Sequence, residues 1–209
     1  DLVRMKKDLQ EQVLMIESSK INDAVMEEII PFIQEGVTEK QLAKKLDELF
    51  FNHHSTCYGA IVAFGKNAAD PHHENDDTLL RKGDCVLIDM GCVYKGYCSD
   101  MTRTFFYEGI LEEEIKAYEI VKKANEAAEA MIKPGVKLSD IDKCARKVIS
   151  DEGYGKYFTH RLGHFIGRDV HEYGDVSSVN EMEVEEGMIF SIEPGIYLEG
   201  NFGVRVEDL

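Results

Sequence analysis

The chain has 209 residues, of which 44% are hydrophobic and 31% charged, as is ordinary for one large globular domain. Its net charge of −16 argues against nucleic acid or an anionic membrane as a partner, because both require a basic face. No apolar run approaches the ~20 residues of a membrane span, and an odd set of cysteines without a C-x-x-C pair predicts free thiols and a cytoplasmic protein.

The first half begins with helices and continues with strands. Residues 2–33 have apolar side chains at helical spacing and predict a helix that ends before Gly36. A second helix should begin after Thr38, because Thr38 and Gln41 stand at the spacing of a capping box. In the strand-rich residues 57–107, a buried strand delivers Asp89 and a short polar turn leads back through Asp100 into another strand. These two carboxylates lie beside apolar residues, so they require a positive partner.

The second half repeats this order. Residues 112–132 predict a helix that ends at Pro134 and Gly135, and residues 138–153 predict another helix that ends at Gly153. Gly36 and Gly135, each followed by Val, occupy matching places in the two halves. Strand-rich residues 157–209 follow. This repetition favours an α+β fold in which two similar halves share one sheet covered by helices on one face.

The second half also supplies polar groups at strand ends. His160, His164 and His171 lie in one segment, Glu193 follows an apolar strand-like run (residues 188–192), and Glu207 ends an alternating strand. If these groups meet Asp89 and Asp100, four carboxylates share one site and repel each other unless cations lie between them. Two divalent ions would balance their charge, which predicts a two-metal hydrolytic site with an activated water. Oxygen ligands with one imidazole favour manganese, with cobalt, iron or zinc as alternatives.

Five motifs carry a resemblance to a known family: LIDMG, YCSDMTRTF, GHFIGRDVHE, IEPGIY and VRVED. They resemble the metal-binding motifs of the pita-bread metallopeptidases, which include Xaa-Pro dipeptidase (prolidase), aminopeptidase P and methionine aminopeptidase. The resemblance implies a pseudo-two-fold fold with a curved antiparallel sheet backed by helices. It also implies five metal ligands, namely Asp89, Asp100, His164, Glu193 and Glu207. Phe165 stands where the family often has Gly, so we expect a reshaped pocket wall.

Further site residues follow from the same resemblance. His72 matches a histidine that lines the substrate site, although its neighbour His73 is open to confusion with it. His160 and His171 match histidines around the substrate carbonyl and the proline ring. The resemblance thus assigns catalysis to His72, His171 and Glu193, and substrate binding to His160 and Arg205. Either Glu193 or Glu207 accepts a proton from the attacking water, and Glu193 matches the residue usually given that role.

The subclass is predicted from two of the motifs. GRDVHE and GVRVED resemble the proline-specific members, whereas methionine aminopeptidases usually place Gln where this chain has Arg205. We therefore expect a dinuclear-metal hydrolase that removes the N-terminal residue from Xaa-Pro peptides or splits Xaa-Pro dipeptides. A methionine aminopeptidase is the alternative, and a pita-bread protein that binds ligands without catalysis is the third possibility. We expect residues 1–209 to be a nearly complete catalytic domain without the N-terminal domain of the proline-specific members, and the full-length protein to be a homodimer.

Overall fold

The computed structural model describes residues 2–209. The helices are α1 (Leu2–Met5), α2 (Leu9–Ile29), α3 (Glu39–Asn52), α4 (Glu112–Glu129) and α5 (Leu138–Asp151), with short 3-10 helices at Ile30–Phe32, Gly65–Ala69 and Gly155–Tyr157. The strands are β1 (Thr56–Cys57), β2 (Ile61–Phe64), β3 (Cys85–Met90), β4 (Cys92–Tyr94), β5 (Tyr97–Cys98), β6 (Met101–Phe106), β7 (Gly163–His164), β8 (Asp175–Val176), β9 (Gly195–Leu198) and β10 (Phe202–Arg205). Within residues 2–209, no helix combines the length and the apolar character that crossing a bilayer requires.

The N-termini of α2 and α3 show how local side chains set the helix boundaries. The predicted capping box of α3 is confirmed, because Gln41 N–H donates to Thr38 Oγ1 at 3.1 Å and Thr38 N–H donates to Gln41 Oε1 at 2.9 Å. The prediction of one continuous helix from residue 2 was wrong. Asp8 forms a second capping box with Glu11 and starts α2 afresh after an interruption at residues 6–8.

The two halves use the same connection between their helices. Gly36 and Gly135 both have a positive φ, +85° and +88°, which glycine adopts without strain. Gly36 N–H donates to Leu80 O at 2.9 Å, and Gly135 N–H donates to Val184 O at the same distance. Each half thus ties its helix pair to its own later segment in one way, which agrees with the predicted repeat.

The sheet and its covering helices form the core. Strands β2, β3 and β6 are antiparallel in that order, and β9 pairs with β10. The two sheets approach each other where Glu207 bridges Thr102 of β6. One buried cluster joins α2 and α3 to β2 and β3, and a second joins α4 and α5 to β9 and β10. The α+β architecture is therefore as predicted, with one helix pair packed on the β2–β3–β6 sheet and the other on the β9–β10 sheet.

The connection between Asp89 and Asp100 differs from the prediction of a short polar turn. The chain forms the β4–β5 hairpin there, and β4 also pairs with β1. Strands β3 and β6 still pair with Asp89 opposite Thr102, and Asp100 directly precedes β6. Both carboxylates therefore lie at the same end of this strand pair.

The predicted strand at residues 188–192 was also wrong as a regular element. Phe190 bridges Phe165 and Ile192 bridges Asp208, so successive residues pair with different neighbours. Pro194 then follows, which has no N–H to continue a ladder. Residues 190–192 are buried, but the pairing of the segment is limited to single bridges.

Candidate metal centre and active site

A cavity of about 700 Å³ collects polar residues from both halves of the chain. All nine site residues predicted from the sequence line it, namely His72, Asp89, Asp100, His160, His164, His171, Glu193, Arg205 and Glu207. Six further residues complete the lining, namely Tyr58, Gly59, Ile61, Pro71, Arg161 and Val170. Residues that lie more than a hundred positions apart in the sequence, such as His72 and Glu207, therefore line the same cavity.

The imidazole of His164 faces two carboxylates with its Nε2. Its Nδ1 lies 3.2 Å from Phe165 O, a carbonyl that only accepts, so Nδ1 carries the proton. Its Nε2 lies 3.5 Å from Asp100 Oδ2 and 3.6 Å from Glu193 Oε1. The Nε2 atom thus lies close to two carboxylate oxygens at a buried position. Protons or a cation must lie between them.

Arg205 and Thr102 orient two of the four carboxylates. Arg205 Nη2 donates to Asp89 Oδ2 at 2.7 Å, and its Nε donates to Thr102 Oγ1 at 3.0 Å. Thr102 Oγ1 in turn donates to Glu207 Oε2 at 2.7 Å. Thr102 was missed in the sequence, although it lies two residues after Asp100 and hence on the same face of the strand. One buried arginine therefore sets both carboxylates, Asp89 directly and Glu207 through the threonine hydroxyl.

Three acids of the cavity, Asp100, Glu193 and Glu207, have raised pKa values. Burial raises the pKa of Glu193 to about 8, with the charge of Glu207 adding to the effect. Burial and the charge of Asp89 raise the pKa of Asp100 well above its usual range. Burial, together with the charges of Asp100 and Asp89, does the same for the pKa of Glu207. These shifts show that the cavity lacks enough positive charge of its own for its four acids.

The donor set fits a divalent cation. One ligand atom from each of Asp100, His164 and Glu207 lies within 4.8 Å of the others, and all three residues are buried. Carboxylate oxygens with one imidazole suit hard or borderline divalent ions. A cation among these atoms would meet the His164 lone pair and replace the protons that the raised pKa values indicate.

His160 belongs to a chain of hydrogen bonds with a fixed direction. Arg205 Nη1 donates to Tyr197 Oη at 3.1 Å, Tyr197 O–H donates to His160 Nε2 at 2.8 Å, and His160 Nδ1–H donates to Arg161 O at 2.7 Å. Burial lowers the pKa of His160 to about 4. Both ring nitrogens are engaged within the protein, so His160 offers the cavity an aromatic face. Tyr197, which links Arg205 to His160, was also missed in the sequence.

His72 and His171 differ from His160 because their rings are free. Within residues 2–209, neither imidazole has a hydrogen-bond partner, and both residues are exposed to the cavity. The ring of His171 lies against that of His164, with centroids 4.3 Å apart. Burial, followed by the neighbouring His164, lowers the pKa of His171. His73 does not line the cavity, so of the two adjacent histidines it is His72 that faces it.

The expectation for Phe165 was wrong. Phe165 is completely buried and packs against Phe190 with ring centroids 5.4 Å apart. It is not among the residues that line the cavity. Because side chains alternate along a strand, the residue after His164 points away from the cavity and into the core.

Comparison with known proteins places this geometry among metallopeptidases. The model of metallopeptidase family M24 matches residues 13–209. A relative described as an uncharacterized peptidase, from Staphylococcus saprophyticus, is 42% identical over 191 residues, which are 90% of this chain and 55% of the relative. This chain thus spans about half the length of the curated relatives that it matches.

Two solved structures share the whole fold. A dipeptidase of Pyrococcus horikoshii is 45% identical with a TM-score of 0.96, and the match covers 99% of this chain and 58% of that one. An Xaa-Pro dipeptidase of Bacillus anthracis is 35% identical with a TM-score of 0.97, and the match covers 99% of this chain and 59% of that one. The pita-bread fold expected from the motifs is the fold of these proteins.

Proposed function

This chain belongs to metallopeptidase family M24, and from that premise we propose that it cleaves the bond before proline, either after the first residue of Xaa-Pro peptides or in Xaa-Pro dipeptides. The observation that carries the proposal is the single cavity, which holds four carboxylates, four histidines and a buried arginine. We propose further that residues 1–209 are the catalytic domain of the protein.

Five residues are proposed to hold two divalent cations, with manganese favoured: Asp89, Asp100, His164, Glu193 and Glu207. Four carboxylates bring four negative charges, which two divalent ions balance. When bound, such ions polarise a carbonyl and lower the pKa of water. The carboxylate of Asp89 keeps one oxygen on Arg205, so this arginine fixes how Asp89 can face a cation.

The chain's own residues would handle the protons and the substrate. Glu193 is proposed as the proton acceptor, because it matches the family residue with that role and its Oε1 lies in the cavity, 3.6 Å from His164 Nε2. His72 and His171 have free ring nitrogens that can donate to the substrate carbonyl or protonate the departing nitrogen. Arg205 is proposed to act on the substrate side indirectly, through Asp89 and Tyr197.

The chemistry of the proline bond supports the subclass. A bond to proline nitrogen has no N–H, so a site for it needs no acceptor at that position, and it must accept a rigid ring. The cavity wall offers the ring face of His160 together with Ile61 and Val170 as apolar surface. The names of the two solved relatives, a dipeptidase and an Xaa-Pro dipeptidase, agree with a small substrate.

The test uses matched peptides and a metal determination. Purified protein loaded with manganese is assayed on Ala-Pro, Ala-Ala and Met-Ala peptides, with metal content measured on the same sample. We expect the proline bond to be cut at least ~10-fold faster, which corresponds to about 1.4 kcal/mol of transition-state discrimination. Preferential release of methionine would replace the subclass with a methionine aminopeptidase. Two bound metals per chain without any turnover would indicate a binding protein.

A further inference from the structure

The orientation of His72 depends on its backbone. The imidazole of His72 has no hydrogen-bond partner within residues 2–209. The backbone N–H of His72 donates to Asp70 Oδ1 at 3.0 Å. His72 lies in the loop between the 3-10 helix Gly65–Ala69 and β3. Whatever holds this loop therefore determines where the ring of His72 stands in the cavity.

The carboxylate of Glu39 is hydrogen-bonded to that loop. Glu39 is the first residue of α3 and is completely buried. Its two oxygens accept four hydrogen bonds, from Phe64 N at 2.9 Å, Asn67 Nδ2 at 2.9 Å, His73 Nε2 at 2.6 Å and Asp76 N at 3.0 Å. Phe64 ends β2 and Asn67 lies in the 3-10 helix, both before His72, whereas His73 and Asp76 follow it. One carboxylate thus connects every part of the chain that leads into and out of this histidine.

We propose that Glu39 and His73 are positioning residues that hold the ring of His72 in the cavity. The inference rests on the proposed function, in which His72 contacts the substrate. His73 is the next residue after His72, and its ring is anchored inward on Glu39, with 12% of the side chain exposed. The ring of His72 consequently faces the cavity, where it is accessible to a substrate. A displacement of ~1 Å at a reacting group can cost about 10²-fold in rate, so such an anchor matters for turnover.

A second metal site is the competing interpretation of this cluster. Ligand atoms of Glu39, His73 and Asp76 lie within 4.8 Å of one another. However, both oxygens of Glu39 are already occupied by two N–H donors each, and Asp76 Oδ1 accepts from Thr78 N at 2.6 Å. A cation would have to displace these bonds. The geometry therefore favours an anchor over an ion site.

The test separates positioning from general stability. In the full protein that carries this sequence, loaded with manganese, His73→Leu should lower kcat about 10- to 100-fold with little change in KM or metal content. Because Glu39 keeps three of its four donors, Tm should fall by no more than about 2–4 °C, and the variant should remain folded at the assay temperature. His73→Gln keeps an N–H donor for Glu39 and should recover most of the activity. His53→Leu is the matched control, because His53 makes a similar contact to Glu28 at 2.9 Å outside the cavity. It should leave kcat unchanged.

The decisive measurement is the double variant. If His73 acts through His72, then His73→Leu should have no further effect on kcat in a His72→Ala background. An equal loss in both backgrounds, or no loss in the wild type, would overturn the inference and leave the proposed function standing. An unchanged kcat in His72→Ala alone would refute the role of His72 and the inference with it. If the wild type binds more than two manganese ions per chain and His73→Leu binds one fewer, then Glu39, His73 and Asp76 bind an ion, and the inference is also wrong.

Discussion

His160 should remain uncharged far below the pH at which a histidine usually gains its proton, and this should make part of the folding stability depend on pH. Its pKa is lowered from 6.5 to about 4, chiefly by burial. The hydrogen bonds give the same answer, because Nε2 already accepts from Tyr197 O–H and Nδ1–H already donates to Arg161 O. A second ring proton would point at the donor hydrogen of Tyr197, whose oxygen also accepts from Arg205.

The sign and size of the effect follow from these values. The unfolded chain takes up this proton near pH 6.5, whereas the folded chain takes it up only near pH 4. The contribution of His160 is therefore complete above pH 6.5 and is lost as the pH falls towards 4. At pH 5 the loss should be about 2 kcal/mol in the free energy of unfolding.

Urea unfolding at pH 7 and pH 5 tests this expectation. The wild type should lose about 2 kcal/mol more between the two pH values than His160→Gln, both in the same metal state. His54→Gln, at an exposed position away from the cavity, should behave like the wild type. An NMR titration of the ring gives the pKa directly, and Tyr197→Phe should raise it. Equal pH dependence in the wild type and His160→Gln, or titration of His160 at 6.5 or above, would refute the reasoning.

Three further outcomes can be measured on the cavity. Asp100→Asn should reduce manganese content. It should lower kcat/KM by more than the ~10- to 100-fold that is typical when a residue that only supports a metal ligand is changed. Full activity with full metal content would contradict the assignment of Asp100 as a ligand. In chelated protein, the pKa of Glu193 is about 8, above its ordinary 4.5. Glu193 should therefore stabilise the fold below pH 4.5 and lose this contribution as the pH rises to 8. The loss in the free energy of unfolding should be at most about 5 kcal/mol. Unfolding of Glu193→Gln should depend less steeply on pH, and equal slopes would exclude this source. Thr102→Val leaves Arg205 Nε without its acceptor and Glu207 without its donor, so the free energy of unfolding should fall by ~1–3 kcal/mol and manganese affinity, measured by calorimetry, by ~10- to 100-fold. Unchanged stability and affinity would show that the hydroxyl is dispensable.

Local patterns in the sequence predicted most of the helices, although the break between α1 and α2 was missed. The capping box at Thr38 and the glycine stops at Gly36, Gly135 and Gly153 are decided by neighbours a few residues away, and all are present in the structure. The acids Asp89, Asp100 and Glu207 stand beside apolar strand residues in the sequence. Burying such carboxylates without a positive partner would cost several kcal/mol, on the order of the penalty for any unpaired charge. The sequence alone therefore predicts that positive charge lies near these acids.

Periodicity and residue types at strand ends thus predicted the α+β fold class and the repeat, and the resemblance of five motifs to a known family predicted which residues line the cavity. Tertiary structure decided the rest. The β4–β5 hairpin depends on pairing with β1, the buried position of Phe165 depends on which face of β7 meets the core, and the two bonds of His160 depend on Tyr197 and Arg161. Glu39 looks like an ordinary first-turn acid in the sequence, yet its four donors lie 25 to 37 positions away. Such roles are set by contacts between distant segments, which no local spacing records.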